Sequence, residues 1–208
     1  MRIGPSELLT IFIALFAIID PFGGIPIFLS VTKGSASSAK VAIKSCLAAF
    51  AVMAAFIFAG RLILNFFGVS IPAFQIGGGI IIFLTGLPML FAYPVAGKAL
   101  GEGTNAESEG DVSLVPLAVP MLAGPGAITT VMVLTDRFQY MGGKMVIAGV
   151  VLLVLAITFL LFWQAKSLFK LVGQTGLNFL TRIMGLILIV LAVQYILTGI
   201  RDFFRLNL

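Results

Sequence analysis

The residues best suited to chemistry lie in two proline- and glycine-rich segments inside apolar runs. The first is Asp20-Pro21-Phe22-Gly23-Gly24-Ile25-Pro26, and the second is the stretch PMLAGPGAITT at positions 120–130. Asp20 lies about a dozen residues into its run, or roughly 20 Å deep at 1.5 Å per residue of helix. Because a charge is costly at that depth, an ionisable group there indicates a functional site. No other acidic residue lies as deep in an apolar run.

Each segment predicts a helix that is interrupted near the bilayer centre. Proline removes a backbone donor and clashes with the preceding turn, and glycine adds backbone freedom. The N–H and C=O groups freed in this way must face protein or a water-filled cavity. We expect new half-helices to begin near residues 25–28 and 127–130. Their free amides and positive dipole ends would attract an anion, and transporters hold substrate carboxylates at such ends.

The candidate substrate-binding residues surround these interruptions, and Asp20 is also the candidate coupling group. They are Asp20, Pro21, Gly23, Gly24, Pro26, Ala123, Gly124, Pro125, Gly126, Thr129 and Thr130. Two alternatives stay open for Asp20, since it could cap the half-helix amides or pair with a buried Arg or Lys. The two threonine hydroxyls could equally bond to the preceding turn of their own helix.

Composition places the chain in a membrane. Of 208 residues, 60% are hydrophobic and 10% are charged, whereas soluble domains have roughly 25% charged residues. With no His and one Cys, an intramolecular disulfide, a His/Cys metal site and the Ser-His or Cys-His nucleophile pairs are excluded. We therefore expect neither an enzyme nor a cofactor. The net charge of +5 is typical of basic membrane edges and does not indicate nucleic-acid binding.

The apolar runs predict an all-α membrane protein with six transmembrane helices, of which the first and the fourth are broken. The predicted spans are 7–32, 42–67, 71–93, 113–136, 143–165 and 177–200. The third span carries Gly77-Gly78-Gly79, which weakens a helix but favours close packing or a neighbouring broken helix. Three glutamines could bond between helices or line a cavity, namely Gln75, Gln164 and Gln194.

The chain also predicts two inverted three-helix repeats, residues 1–93 and 113–208, joined by a polar linker at 94–112. Pro21 and Pro26 match Pro120 and Pro125 at an offset of 99, and the stretch at 79–82 resembles that at 185–188 at an offset of 106. An odd number of spans per repeat inserts the second repeat upside down. Paired broken helices in inverted repeats indicate a transport site at the membrane midplane.

Basic residues set the expected orientation in the membrane. Six of the 13 Lys and Arg residues fall on the side of the chain termini and seven on the other side. Because cytoplasmic loops carry the excess of positive charge, the sequence predicts a multi-pass protein of the cell (inner) membrane with its termini outside.

The stretches IDPFGGIPIF and PLAVPMLAGPGAITTV resemble the MarC family of membrane proteins, with AGPGAIT at 123–129 the most specific part. Members with an assigned activity are similar to SnatA-type transporters of small neutral amino acids such as glycine and alanine. The resemblance implies a secondary transporter coupled to protons, with sodium as the other coupling ion considered. Family members often carry Asn before the first proline, where this chain has Asp20, and an ionisable group there could change the coupling.

The favoured hypothesis is alternating access for a small zwitterionic amino acid, in which one repeat rocks against the other. Its partners would be the amino acid, the coupling ion and the bilayer, and a homo-oligomer is compatible with it. The alternative is a channel or an exporter for a small polar solute, since broken helices also build selectivity filters. An intramembrane hydrolase is disfavoured because no base accompanies a nucleophile.

Overall fold

A computed structural model describes residues 3–32, 38–91 and 122–206, and every regular element in these ranges is a helix. The helices are α1 (Pro5–Ile19), α2 (Pro21–Val31), α3 (Ser38–Phe66), α4 (Ile71–Leu90), α5 (Pro125–Arg137), α6 (Met141–Trp163) and α7 (Ala165–Leu206). The predicted linker at 94–112 lies outside the described residues.

Four of these helices have proline in their first turn, where its missing N–H costs nothing because that amide has no intrahelical partner. Pro5, Pro21, Pro72 and Pro125 occupy this position. Side-chain hydrogen bonds complete three of these starts, of which that of α2, made by Asp20, is described with the candidate site. The Gly4 N–H donates to the Glu7 carboxylate at 2.9 Å, and the Ala73 N–H donates to the Ser70 hydroxyl at 3.4 Å. Local chemistry therefore explains where these helices begin.

Five candidate spans cross the bundle within the described residues, with α1 and α2 together forming one of 27 residues. The fourth predicted span, 113–136, begins outside those residues. Its described part, α5, has 13 residues and is about 20 Å long at 1.5 Å per residue, too short to cross a hydrocarbon core of about 30 Å alone. The all-helical, multi-pass prediction is confirmed, whereas the count of six stays a prediction.

Glycines have different effects in two helices. In α7 (Ala165–Leu206), Gly173 has non-helical angles, φ 68° and ψ 176°, and separates a first segment from a second one that contains the predicted span 177–200. Glycine adopts this positive φ without steric cost. Helix α4 runs without interruption through Gly77-Gly78-Gly79, because packing against neighbouring helices offsets the weak helix propensity of glycine.

Helices α4 and α7 form the most extensive helix pair, and small residues bring their backbones together. A β-carbon on Gly79 would lie 3.0 Å from the Ala192 carbonyl oxygen. Further along, a β-carbon on Gly86 would lie 3.1 Å from the Gly185 carbonyl oxygen. Approach this close is the role that small residues play between membrane helices.

Helix α5 lies at the centre of the bundle. Its residues from Thr129 to Thr135 are all buried, and it packs against α1, α3, α4 and α6. A helix that is buried on every side belongs to a core. The ordinary expectation for such a helix is a purely apolar surface, so the three buried threonines of α5 (Thr129, Thr130 and Thr135) stand out.

The two ends of the bundle are marked by different contacts. At one end, called the near end here, α3 and α5 end and α4 begins, and a β-carbon on Gly199 of α7 would lie 2.9 Å from the Pro72 carbonyl oxygen. At the opposite, far end, Phe28 of α2 stacks on Phe162 of α6 with ring centroids 4.7 Å apart. Such a stack adds about 0.5–1.5 kcal/mol to apolar burial.

Candidate functional site

The first helix interruption is one residue wide. Asp20 ends α1 and caps α2 in the left-handed conformation, with φ 43° and ψ 67°. Its N–H donates to the Phe16 carbonyl at 3.1 Å, and its carbonyl accepts from the Gly24 N–H at 3.1 Å. Among the described residues it is the only non-glycine with positive φ. Asp and Asn adopt this conformation more readily than most side chains, which explains an acidic residue at this point.

The Asp20 side chain closes back onto its own helix. Oδ1 accepts a hydrogen bond from the Gly23 N–H at 3.2 Å, and a β-carbon on Gly23 would collide with Oδ2. The capping interpretation of Asp20 therefore describes the arrangement present in this structure. A role in substrate binding or coupling stays a prediction.

The predicted start of the half-helix near residue 25 is wrong, because α2 begins at Pro21 and contains Pro26 in its interior. The two prolines have equivalent local effects, and the left-handed Asp20 decides which of them starts the helix. Because neither proline has an N–H, the carbonyls of Ala17 and Phe22 lose their intrahelical donors. The first interruption is thus rich in acceptors, namely two carbonyls and the Asp20 carboxylate.

The second predicted interruption is described only from residue 122 onward, where α5 begins, and this helix start has the opposite character. Gly124 is the N-cap of α5 without a side-chain cap, and Pro125 follows it. The Ile128 N–H donates to the Gly124 carbonyl at 3.0 Å, which leaves the amides of Gly126 and Ala127 at the open start of the helix. Here too the half-helix begins earlier than predicted, at residue 125 and not 127. Uncapped amides at a helix start form a donor site that favours anions.

The structure brings the two interruptions together. A β-carbon on Gly126 would lie 3.8 Å from Cγ1 of Ile18, two residues before Asp20. A cavity of about 70 Å³ lies beside this contact, with room for several water molecules or one small solute. Its lining consists of Ile18, Ile82, Thr85, Gly124, Pro125, Gly126, Ala127 and Leu188. Ala123, which is buried, Asp20, Pro21, Gly23, Gly24 and Pro26 lie outside that lining.

The two candidate threonines point to different neighbours. The Thr129 hydroxyl donates to the Pro125 carbonyl at 2.9 Å, as the packing alternative predicted, and the side chain lies against Gly78. Thr130 is fully buried, and its hydroxyl has no hydrogen-bond partner among the described residues. The Tyr195 phenol is its polar neighbour, although the two groups do not meet the geometry of a hydrogen bond.

Sequence reasoning missed five residues around the site: Ile18, Ile82, Thr85, Leu188 and Tyr195. Two of them carried a signal, because the resemblance of 79–82 to 185–188 pairs Ile82 with Leu188. Both line the cavity. Nothing local distinguishes Ile18 or Tyr195 from other apolar and aromatic residues of their helices.

A second, more polar cavity of about 130 Å³ opens at the near end. Arg61, Asp136, Gln139 and Lys144 line it together with apolar residues. Arg61 and Asp136 lie 3.9 Å apart and are both partly exposed, so this pair contributes little to stability. Charged and polar side chains therefore surround this cavity at the near end.

Comparison with known proteins places the chain. A model of the MarC family of integral membrane proteins matches residues 6–204. The chain belongs to the MarC family. It is 40% identical over 192 residues to a membrane protein of Methanocaldococcus jannaschii, covering 91% of this chain and 94% of that protein. It is 37% identical over 198 residues to the inner membrane protein YhgN of Escherichia coli, covering 94% and 97%.

A third relative in the MarC family is the membrane protein YvbG of Bacillus subtilis, which is 36% identical over 203 residues, with 96% of each chain covered. These names state location in a membrane and do not name a substrate. No solved structure matches the chain. The arrangement of the two interruptions is therefore what bears on function.

Proposed function

We propose that this MarC protein is a secondary transporter of small neutral amino acids of the glycine and alanine type, proton-coupled and working by alternating access. One observation carries the proposal: the Asp20 break between α1 and α2 and the uncapped start of α5, which have opposite polarity, lie close together beside a small cavity. An amino acid is a zwitterion, so it presents one anionic and one cationic group to such a site.

The two interruptions match the two ends of this substrate. The uncapped amides of Gly126 and Ala127 would bind the carboxylate, as half-helix starts do in other transporters. The acceptors around Asp20 would bind the ammonium group. The cavity lining beside the α5 amides is mostly apolar, with Ile18, Ile82 and Leu188. It would cover a hydrogen or a methyl group and leave little room for a larger side chain.

Helix packing supports the inverted repeats behind this mechanism. Under a shift of 106 residues, Gly79 corresponds to Gly185 and Gly86 corresponds to Ala192. The close approach of Gly79 to Ala192 therefore has a symmetric counterpart, the close approach of Gly185 to Gly86. Ile82 and Leu188 correspond under the same shift and line one cavity, as expected for residues beside a pseudo-two-fold axis. Rocking of residues 1–93 against 113–208 would then open the cavity to either side.

The helix starts favour a second alignment of the first span of each repeat. Pro21 and Pro125 each lie in the first turn of a helix and are 104 positions apart, close to the shift of 106 between the third spans. The predicted match of Pro21 and Pro26 with Pro120 and Pro125 includes Pro120, which lies outside the described residues, so we propose the pairing of Pro21 with Pro125 beside it. With this pairing, Asp20 corresponds to Gly124, and only the first interruption carries an ionisable cap.

Asp20 is the proposed coupling residue because protonation would change what it offers. As a carboxylate it accepts from the Gly23 N–H and would attract an ammonium group. Once protonated it loses its charge and becomes a donor. Binding of substrate and of a proton at this interruption would then be linked, and sodium at the same acceptors is the other coupling ion to be tested.

The test is uptake of labelled glycine into proteoliposomes with and without an inward proton gradient. We expect saturable uptake that the gradient stimulates, and Asp20→Asn should transport without that stimulation. Asp202→Asn is the matched control, since it removes a carboxylate in an exposed pair with Arg201. Uptake that stays gradient-sensitive in Asp20→Asn would remove Asp20 from the coupling path. Solute flux that does not saturate with glycine, alanine or serine would favour the channel hypothesis.

A further inference from the structure

Three buried polar side chains are not used by the proposed substrate site. They are Gln75 on α4, Thr130 on α5 and Tyr195 on α7, which are 5%, 0% and 7% exposed, and they are called the polar cluster here. Nε2 of Gln75 and Oγ1 of Thr130 have no hydrogen-bond partner among the described residues. The Tyr195 phenol lies beside the Thr130 hydroxyl.

The cluster lies between the cavity at the helix interruptions and the near end. Gln75 precedes Ile82 by seven residues on α4, and Tyr195 follows Leu188 by seven residues on α7. Seven residues are almost two turns, about 10 Å along a helix axis, and return a side chain to nearly the same face. Ile82 and Leu188 line the cavity. Gln75 therefore lies on the cavity-facing side of α4, and Tyr195 lies on the cavity-facing side of α7, each about two turns nearer to the near end.

Helix α5 leads in the same direction. Thr130 lies five residues beyond Pro125, which lines the cavity, and α5 runs on to Arg137 at the near end. Close packing shuts the space between these helices, since a β-carbon on Gly78 would collide with Thr129, and one on Gly79 would meet Ala192. The polar side chains therefore occupy a closed seam.

Unpaired polar groups in such a seam are costly. A buried donor or acceptor without a partner loses the hydrogen bonds that water would supply, and lipid offers no replacement partner. Apolar residues of similar shape would fill the same space without that cost. The cluster is explained if its groups find partners when the helices separate.

We propose that Gln75, Thr130 and Tyr195 form a second binding site, on the route between the helix-break cavity and the near end. Its ligands are small neutral or zwitterionic solutes that donate and accept hydrogen bonds, together with the water that accompanies them. The seam is closed in this structure and opens when α4 and α7 move away from α5. This inference rests on the proposed transport function and adds a route to it.

Chemical access to position 130 tests the route without any assumption about substrate. Thr130→Cys is made in a Cys46→Ala background, and vesicles of both orientations are treated with a membrane-impermeant thiol reagent. Gln139→Cys is the positive control, since Gln139 is exposed and lines the near-end cavity. Thr158→Cys is the buried control, since Thr158 is 0% exposed and lies on α6.

We expect Thr130→Cys to react only from the side on which Gln139→Cys reacts, and Thr158→Cys to stay unmodified. The proposed route would be refuted if Thr130→Cys stays unmodified from the side on which Gln139→Cys is modified. It would also be refuted if Thr130→Cys reacts only from the opposite side. If Thr130→Cys does not reach the membrane, Tyr195→Cys takes its place, with the same expected and contrary results.

Transport by apolar variants gives a second readout. Thr130→Val and Tyr195→Phe should leave the thermal midpoint unchanged or higher and lower glycine uptake at least tenfold. Thr158→Val is the control, because its hydroxyl donates to the Val154 carbonyl at 2.8 Å, and its uptake should stay at the wild-type level. Wild-type uptake that persists in both cluster variants would refute the site. If the wild type takes up no glycine but Thr130→Cys is still modified, the transport proposal is refuted and the water-accessible route is retained.

Discussion

At the first helix interruption, the carboxylate of Asp20 lies directly against the backbone of Gly23. Oδ1 of Asp20 accepts from the Gly23 N–H at 3.2 Å, and Oδ2 occupies the space that a β-carbon on Gly23 would take. The identity of residue 23 therefore decides whether the cap of α2 can form. This relationship and three others make testable predictions.

Gly23→Ala should break the cap of α2. The new methyl group displaces the Asp20 carboxylate, and loss of a helix cap typically costs about 1 kcal/mol. We expect a lower thermal midpoint in detergent and reduced glycine uptake. Gly149→Ala on α6 is the control, since nothing lies within 4 Å of a β-carbon there. Equal midpoints for the two variants would contradict the closed Asp20–Gly23 arrangement.

Asp20→Asn and Asp20→Ala should differ in stability. Asn tolerates the left-handed conformation and can still accept from the Gly23 N–H. Ala loses both the cap and that tolerance, for a combined cost of about 1–3 kcal/mol. Thermal unfolding of both variants beside the wild type measures the difference. If Asp20→Ala proves as stable as Asp20→Asn, the φ of 43° at this position does not favour Asp or Asn over other side chains.

Adjacent glycines on α4 should respond in opposite ways to the same substitution. A methyl group on Gly78 collides with Thr129, and overpacking of this kind costs about 1–3 kcal/mol. A methyl group on Gly77 meets nothing within 4 Å, so Gly77→Ala should stabilise the helix by about 0.5–1 kcal/mol. Unfolding midpoints of the two variants test this contrast. Equal destabilisation of both would show that α4 does not pack on α5 through Gly78.

Gly126→Ala should narrow the cavity and change its preference among substrates. The added β-carbon would lie 3.2 Å from Cγ1 of Ile82, so a substrate methyl group loses space that a hydrogen does not need. Alanine uptake should fall about tenfold more than glycine uptake, the usual effect of one methylene in a pocket. Competition between the two amino acids measures the ratio, with Gly149→Ala as reference. An equal loss of glycine and alanine uptake would show that the substrate side chain does not lie beside Gly126.

Much of the fold follows from local features of the sequence. Long apolar runs predict membrane helices because only helices satisfy every backbone group in lipid, and α1 to α4 and α6 lie where the runs predicted. Pro21 and Pro125, each beside a glycine or a short polar residue, indicated interruptions in the expected runs. The boundary errors also have local causes. Pro21 and Pro26 both disrupt a preceding turn, so the sequence could not distinguish the one that starts α2.

The sequence by itself therefore determined a helical membrane protein with two interrupted segments and an ionisable residue at one of them. Only the tertiary structure decided that these interruptions lie together, since the contact of Ile18 with Gly126 joins residues more than 100 positions apart. The same holds for the cavity lining and for the cluster of Gln75, Thr130 and Tyr195. Which faces meet depends on how closely the glycines of α4 and α7 let those helices approach. That approach belongs to packing between helices and leaves no periodic signal within either one.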